Sequence, residues 1–143
     1  MNLRILFILF INNLDYEKIQ FAISGGAMLV ENGKVPNSFT SMIWGTNPRT
    51  AVGLSKDGNT LYLVTVDGRQ NSSIGMTQTE FAELLVEKGI YNALNLDGGG
   101  STTMVARKLG EENLQTVNSP SGGVLRMVTN AIGVYNTSKT SSI

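Results

Sequence analysis

A chain of 143 residues with 41% hydrophobic and 15% charged content is the size of one soluble domain with a real core. Eleven basic and eleven acidic residues cancel, so the overall charge points to neither nucleic acid nor an acidic partner. Histidine and cysteine are both absent, which excludes zinc sites built on nitrogen or sulfur, Ser-His-Asp and Cys-His nucleophile systems, and disulfide staples; acid-base chemistry near neutral pH then falls to carboxylates, tyrosine, lysine or water.

Residues 1–13, MNLRILFILFINN, form an apolar segment that fits either a first strand or a signal-like core, although no small-residue cleavage site follows it. Ala27 to Val30 read as a strand entering a hairpin at Asn32-Gly33, a pair that tolerates positive backbone angles at both turn positions. Residues 36–48 read as a loop around Trp44. The runs TAVGLS and TLYLVTV, joined by KDGN, then form a second hairpin. The clearest helix lies in MTQTEFAELLVEKG: Thr77 and Glu80 make a T-x-x-E capping box, Phe81, Leu84 and Leu85 an apolar stripe, and Gly89 a stop. YNALNL is a buried strand leading to Asp97, and STTMVA another strand; RKLGEENLQTVNSPSGG is loop with an edge strand, and RMVTNAIGVY a last strand. The polar tail, residues 136–143, lacks apolar anchors and reads as disordered. Seven strand candidates beside one helix predict an α+β domain, its helix packed on a mixed, largely antiparallel sheet.

Of the eleven acids, nine have ordinary solvated places on the helix, in turns or in loops. Asp67 and Asp97 differ, because each ends an apolar strand and meets glycine at once, in VTVDGR and LNLDGGG. For each alone, an Asx-type turn that closes the strand is an equally good reading. Three consecutive glycines exceed what a tight turn needs, and they suit a place where something approaches the backbone closely. Arg69 follows Asp67 by two residues, and Arg49 opens the strand paired with the one that ends at Asp67. Guanidinium forks grip phosphate oxygens, and a glycine run supplies N–H groups for an anion nest, so phosphate is a plausible ligand. Neither G-x-x-x-x-G-K-[ST] nor a G-x-G-x-x-G opening a helix is present.

The ordered series AISGGAMLVENGK, NPRTAVGLSKDG, LVTVDGR, GMTQTEFAELLVEKG, ALNLDGGGSTTMV, and VNSPSG with RMVTNAIGVY resembles the phosphodiester glycosidase domain, or uncovering-enzyme domain, over residues 14–135. That family includes the enzyme that removes N-acetylglucosamine from a phosphodiester on mannose. The resemblance implies one cleft built from Arg49, Asp67, Arg69, Asp97, Gly98, Gly99, Gly100 and Ser101, with Arg126 and Asn130 at polar positions of the closing block. It also marks a departure: nothing here matches the family's upstream glycine-rich N-x-G-[FY]-F block, so the chain reads as the C-terminal part of the domain.

The resemblance thus implies hydrolysis of a sugar-1-phosphodiester between the anomeric carbon and oxygen, on a phosphoglycan or similar substrate. Asp97 would be nucleophile or base, and Asp67 its partner in acid-base work or in binding sugar hydroxyls. Arg49 and Arg69 would hold the phosphodiester. The alternative is a carbohydrate- or phosphoglycan-binding remnant without catalysis. Asp67 and Asp97 could share a hard cation through oxygen ligands, but the sequence shows no spaced acidic loop for one, so no metal or other cofactor is expected. Uncovered strand edges would favour self-association, or association with the rest of the domain. A secreted, envelope or phage-associated location fits the apolar N-terminus and the family's range.

Overall fold

The structure, a computed structural model, describes residues 22–135. The N-terminal apolar segment and the polar tail lie outside them. Four strands form the main sheet: β1 (Ala27–Val30), β2 (Arg49–Leu54), β3 (Leu61–Val66) and β4 (Asn92–Asn95), in the order β1-β4-β2-β3 with every pair antiparallel. One helix, α1 (Gln78–Glu87), packs on it. A separate two-stranded ribbon, β5 (Val105–Arg107) with β6 (Leu114–Thr116), completes the regular structure of the described residues. The α+β reading holds.

The core explains why the helix sits where it does. Phe81, Ala82 and Leu85 on the apolar stripe of α1 are buried against Leu29 and Val30 of β1, Ala51 of β2 and Ala93 of β4. Ile90 closes the same cluster. Small residues on the two central strands let the helix side of the sheet approach closely. At Gly53 a β-carbon would stand 2.5 Å from Ile90 Cγ2.

Local signals shape the connections as the sequence predicts. Asn32 and Gly33 both have positive φ, 53° and 77°, as a type I′ turn requires, and Glu31 and Lys34 exchange both backbone hydrogen bonds across it. The return arm ends there, because β1 finds its partner in β4 instead. Asp57 organises the β2–β3 turn, accepting from the Ser55 hydroxyl and from the backbone and side chain of Asn59. Those donors hold its carboxyl below the usual carboxylate range.

Two expected strands are corrected. STTMVA shares only Ser101 with a 3-10 turn, Gly99–Ser101, and becomes strand only from Val105. Within that turn Gly99 takes φ +59°. Residues 126–135 form no strand: their alternating pattern meets no partner edge among the described residues, and Met127, Val134 and Tyr135 stay largely exposed. Six strands therefore stand where seven were expected among 22–135.

The capping box at α1 is complete. Thr77 Oγ1 accepts from the Glu80 N–H at 3.2 Å, and Glu80 Oε2 accepts from the Thr77 N–H at 2.8 Å. Thr77→Ala should cost about 1 kcal/mol, a fall of a few degrees in the unfolding midpoint followed by circular dichroism. The two Thr77 donors hold the Glu80 carboxyl below its ordinary range. Its contribution is therefore present above the unfolded-state value and is lost as pH falls through the depressed one. The penalty of Thr77→Ala should accordingly shrink in acid. Equal unfolding midpoints for the variant and the parent at neutral pH would show the box to be idle.

Candidate active site

β3 and β4 both run antiparallel to β2, so both finish at the sheet edge where β2 begins. Asp67 follows β3 directly, Asp97 lies just past β4, and Arg49 is the first residue of β2, opposite Val66. The topology thus brings the three predicted segments, RTAVG, DGR and LDGGGS, to one edge.

The two aspartates have different surroundings there. Asp67 is half-buried and both its oxygens are engaged, Oδ1 by Asn118 Nδ2 and Oδ2 by the Ser119 N–H, each at 2.9 Å. Asn118 also donates to the Thr102 carbonyl at 3.1 Å and accepts from the Met104 N–H at 2.8 Å. Gln70 and Ser119 bond each other twice. Asp67 thereby ties the DGR loop to the segment after the glycines and to the VNSPSG loop. Asp97, by contrast, is exposed and has no side-chain hydrogen bond among the described residues.

The triple glycine is explained by what lies against it. A β-carbon on Gly98 would stand 2.7 Å from the Pro48 carbonyl, which accepts the Gly99 N–H at 2.9 Å. On Gly99 it would stand 3.2 Å from Arg69 Nη1 and 3.3 Å from Nη2, so the guanidinium lies on bare backbone. On Gly100 it would stand 3.5 Å from Arg126 Cδ. The glycines at 99 and 100 admit two arginines. Arg69 is fixed by donating to Asn47 Oδ1 at 2.7 Å and sits at φ +58°, a conformation uncommon outside glycine and one that collects at functional sites.

Arg49 departs from the expected role. Its side chain is 2% exposed and donates to three backbone carbonyls: Met76 at 2.9 Å through Nε, and Ile43 and Gly45 at 3.0 and 2.9 Å through Nη2. Burial lowers its pKa from the ordinary value. It holds the loop before β2 and does not present an open fork. Ser101 is half-buried beside the glycines, and its N–H donates to the Gly98 carbonyl. Asn130 is exposed on the irregular C-terminal segment without a side-chain hydrogen bond among the described residues. Sequence reasoning overlooked Asn47, Gln70, Thr102 and Asn118. Asn118 lies within the quoted VNSPSG block, a polar residue among turn formers, and that was its only visible signal.

Next to this network, an open depression of about 350 Å³ is lined by Thr116, Asn118, Ser119, Pro120, Gly123, Val124 and Leu125. Among the described residues, no three acidic side chains gather as metal ligands would.

Residues 3–135 match the phosphodiester glycosidase (NAGPA) family. The chain belongs to this family. An uncharacterized SPbeta prophage-derived protein of Bacillus subtilis strain 168, YomE, is 35% identical over 114 residues, covering 76% of this chain and 16% of that protein. The N-acetylglucosamine-1-phosphodiester alpha-N-acetylglucosaminidase of Bos taurus is 36% identical over 98 residues, 58% of this chain and 18% of the enzyme. The solved catalytic domain of the zebrafish enzyme, auto-inhibited by its pro-peptide, superposes with a TM-score of 0.52 at 29% identity, over 69% of this chain and 34% of that one. The chain therefore spans less than a fifth of the length of these two curated relatives. Members of the family are hydrolases of phosphodiester-linked sugars. Among the described residues no helix is long and apolar enough to cross a membrane.

Proposed function

We propose that this site hydrolyses a sugar-1-phosphodiester at the bond between the anomeric carbon and oxygen, with N-acetylglucosamine as the sugar. The sugar is that of the bovine relative's substrate. One observation carries the reading: an open carboxylate, Asp97, adjoins a bare glycine backbone on which the guanidinium of Arg69 and the side chain of Arg126 rest. Arg69 and Arg126 supply the positive charge that binds a phosphodiester and stabilises it as it leaves. Asp97 acts at the anomeric carbon, as nucleophile or as base for water. In the net reaction a water oxygen joins that carbon, the old C–O bond breaks with its electrons going to oxygen, and a phosphate monoester departs. A phosphodiester is a good leaving group, so charge stabilisation matters more than a strong acid.

Asp67 is assigned a positioning role, because both its oxygens already hold protein donors. The same observation favours a second reading, a phosphoglycan-binding module that lacks the second free carboxylate of a glycosidase pair. The exposed apolar residues of the ribbon and the C-terminal segment, such as Leu114 and Met127, support packing against further polypeptide, whether a second copy or more of the family domain. A phage-associated location is supported by the prophage-derived relative.

The test is release of free sugar from the methyl diester of N-acetylglucosamine 1-phosphate. The wild-type chain should release it, and Arg69→Ala should raise KM roughly tenfold or more by removing a charge-assisted contact. Binding of the diester without any release would favour the binding module. No binding and no release would refute both readings.

A further inference from the structure

The chain's single tryptophan, Trp44, is 81% exposed on the loop before β2. A lone exposed aromatic group is ordinary, but the backbone that carries it is seldom held as firmly as here. Buried Arg49 donates to the carbonyls on either side, of Ile43 and Gly45, and Asn47 Nδ2 donates to the carbonyl of Trp44 itself at 2.9 Å. Buried Gln78 accepts the Ile43 N–H at 2.9 Å and donates to the Ser41 carbonyl at 2.8 Å. A buried guanidinium and a buried carboxamide are thus committed to a loop whose main product is a displayed indole.

The same loop touches the candidate site twice. The carboxamide of Asn47 that caps the Trp44 carbonyl accepts from Arg69 at 2.7 Å through its other end, and the Pro48 carbonyl accepts the Gly99 N–H. The backbone carbonyl of Trp44 is therefore one side chain's width, that of Asn47, from the guanidinium proposed to hold phosphate. We infer that Trp44 is a sugar-binding platform, against which the apolar C–H face of the substrate's pyranose ring stacks while Arg69 holds the phosphodiester. Indole offers a broad rigid surface at small conformational cost, and a sugar ring has one face of C–H groups to lay on it. The inference rests on the sugar-1-phosphodiester reading and adds the residue that selects the sugar. Arg49 and Gln78 act through the loop as positioning residues.

Because the chain has one tryptophan, its selectively excited emission reports this residue alone. The probe is the non-hydrolysable C-glycosidic phosphonate methyl ester of N-acetylglucosamine, titrated into the wild-type chain and followed by emission and by calorimetry. The two midpoints should agree, with a saturable change in emission. Dimethyl phosphate, which has no sugar, should leave the emission unchanged. Trp44→Ala should raise the dissociation constant about tenfold and Trp44→Phe about threefold or less, whereas Arg69→Ala should weaken binding of the phosphonate with the emission change intact at saturation. Calorimetric binding with unchanged emission, and an unaltered dissociation constant in Trp44→Ala, would overturn the platform and leave the phosphodiester site standing. Failure of the phosphonate to bind at all would overturn the site reading, and the platform with it.

Discussion

Asp97→Asn should leave the fold and the affinity for a sugar-1-phosphodiester nearly unchanged while lowering turnover by roughly 10²-fold or more, the scale of a lost acid-base or nucleophilic group. The fold is spared because the carboxylate is exposed and makes no side-chain hydrogen bond among the described residues, so an amide of the same shape leaves nothing unpaired. Affinity is spared because the proposed grip on phosphate comes from Arg69 and Arg126, which rest on Gly99 and Gly100 whatever occupies position 97. Turnover falls because an amide is neither a base nor a competent nucleophile. Thermal unfolding, calorimetric binding and sugar release measured on the same preparation check the three parts separately. Wild-type turnover in Asp97→Asn would reduce Asp97 to a turn residue.

Arg49→Met should fail in a different way, by loss of stability of about 3 kcal/mol. Methionine keeps much of the apolar stem but abandons three carbonyls at 2.9 to 3.0 Å. A hydrogen bond from a charged donor contributes roughly 1.5–3 kcal/mol. Ile43 and Gly45 are exposed, so their carbonyls recover water; the Met76 carbonyl is half-buried and recovers less. The net figure is therefore well below the sum, yet large against a total stability of about 5–15 kcal/mol. Arg49→Lys should recover only part of the loss, since one ammonium cannot reproduce the fork. The denaturant midpoint measures both variants. An Arg49→Met midpoint equal to wild type, with weakened phosphodiester binding, would restore Arg49 to the ligand-binding role expected from sequence.

Features set by neighbouring residues were legible in the sequence. The capping box joins residues three apart, the Asn32-Gly33 turn needs only its own backbone angles, and alternation along residues 50–66 encodes a hairpin. The convergence of Asp67, Asp97 and Arg49 on one sheet edge was legible only as a condition, since it depends on β4 adding to β2 across the helix. What stayed hidden was the destination of individual side chains. Arg49 meets Met76 across 27 positions and Asp67 meets Asn118 across 51, and no local pattern distinguishes a committed arginine or aspartate from an open one. The triple glycine signalled a close approach correctly, but the residues that approach, Pro48, Arg69 and Arg126, come from three other segments. Residues 126–135 have a strand's alternation, and alternation cannot report whether a partner edge exists.

The central claim, that this site breaks the bond between the anomeric carbon and oxygen and relies on Asp97 to do so, is tested most directly by running the hydrolysis in water enriched in heavy oxygen. The substrate is the methyl diester of N-acetylglucosamine 1-phosphate, and mass spectrometry follows both products. Cleavage at the anomeric carbon places the label in the released sugar and leaves the methyl phosphate unlabelled, at a rate that falls roughly 10²-fold or more in Asp97→Asn. Label in the methyl phosphate, or an equal rate in Asp97→Asn, would contradict the account.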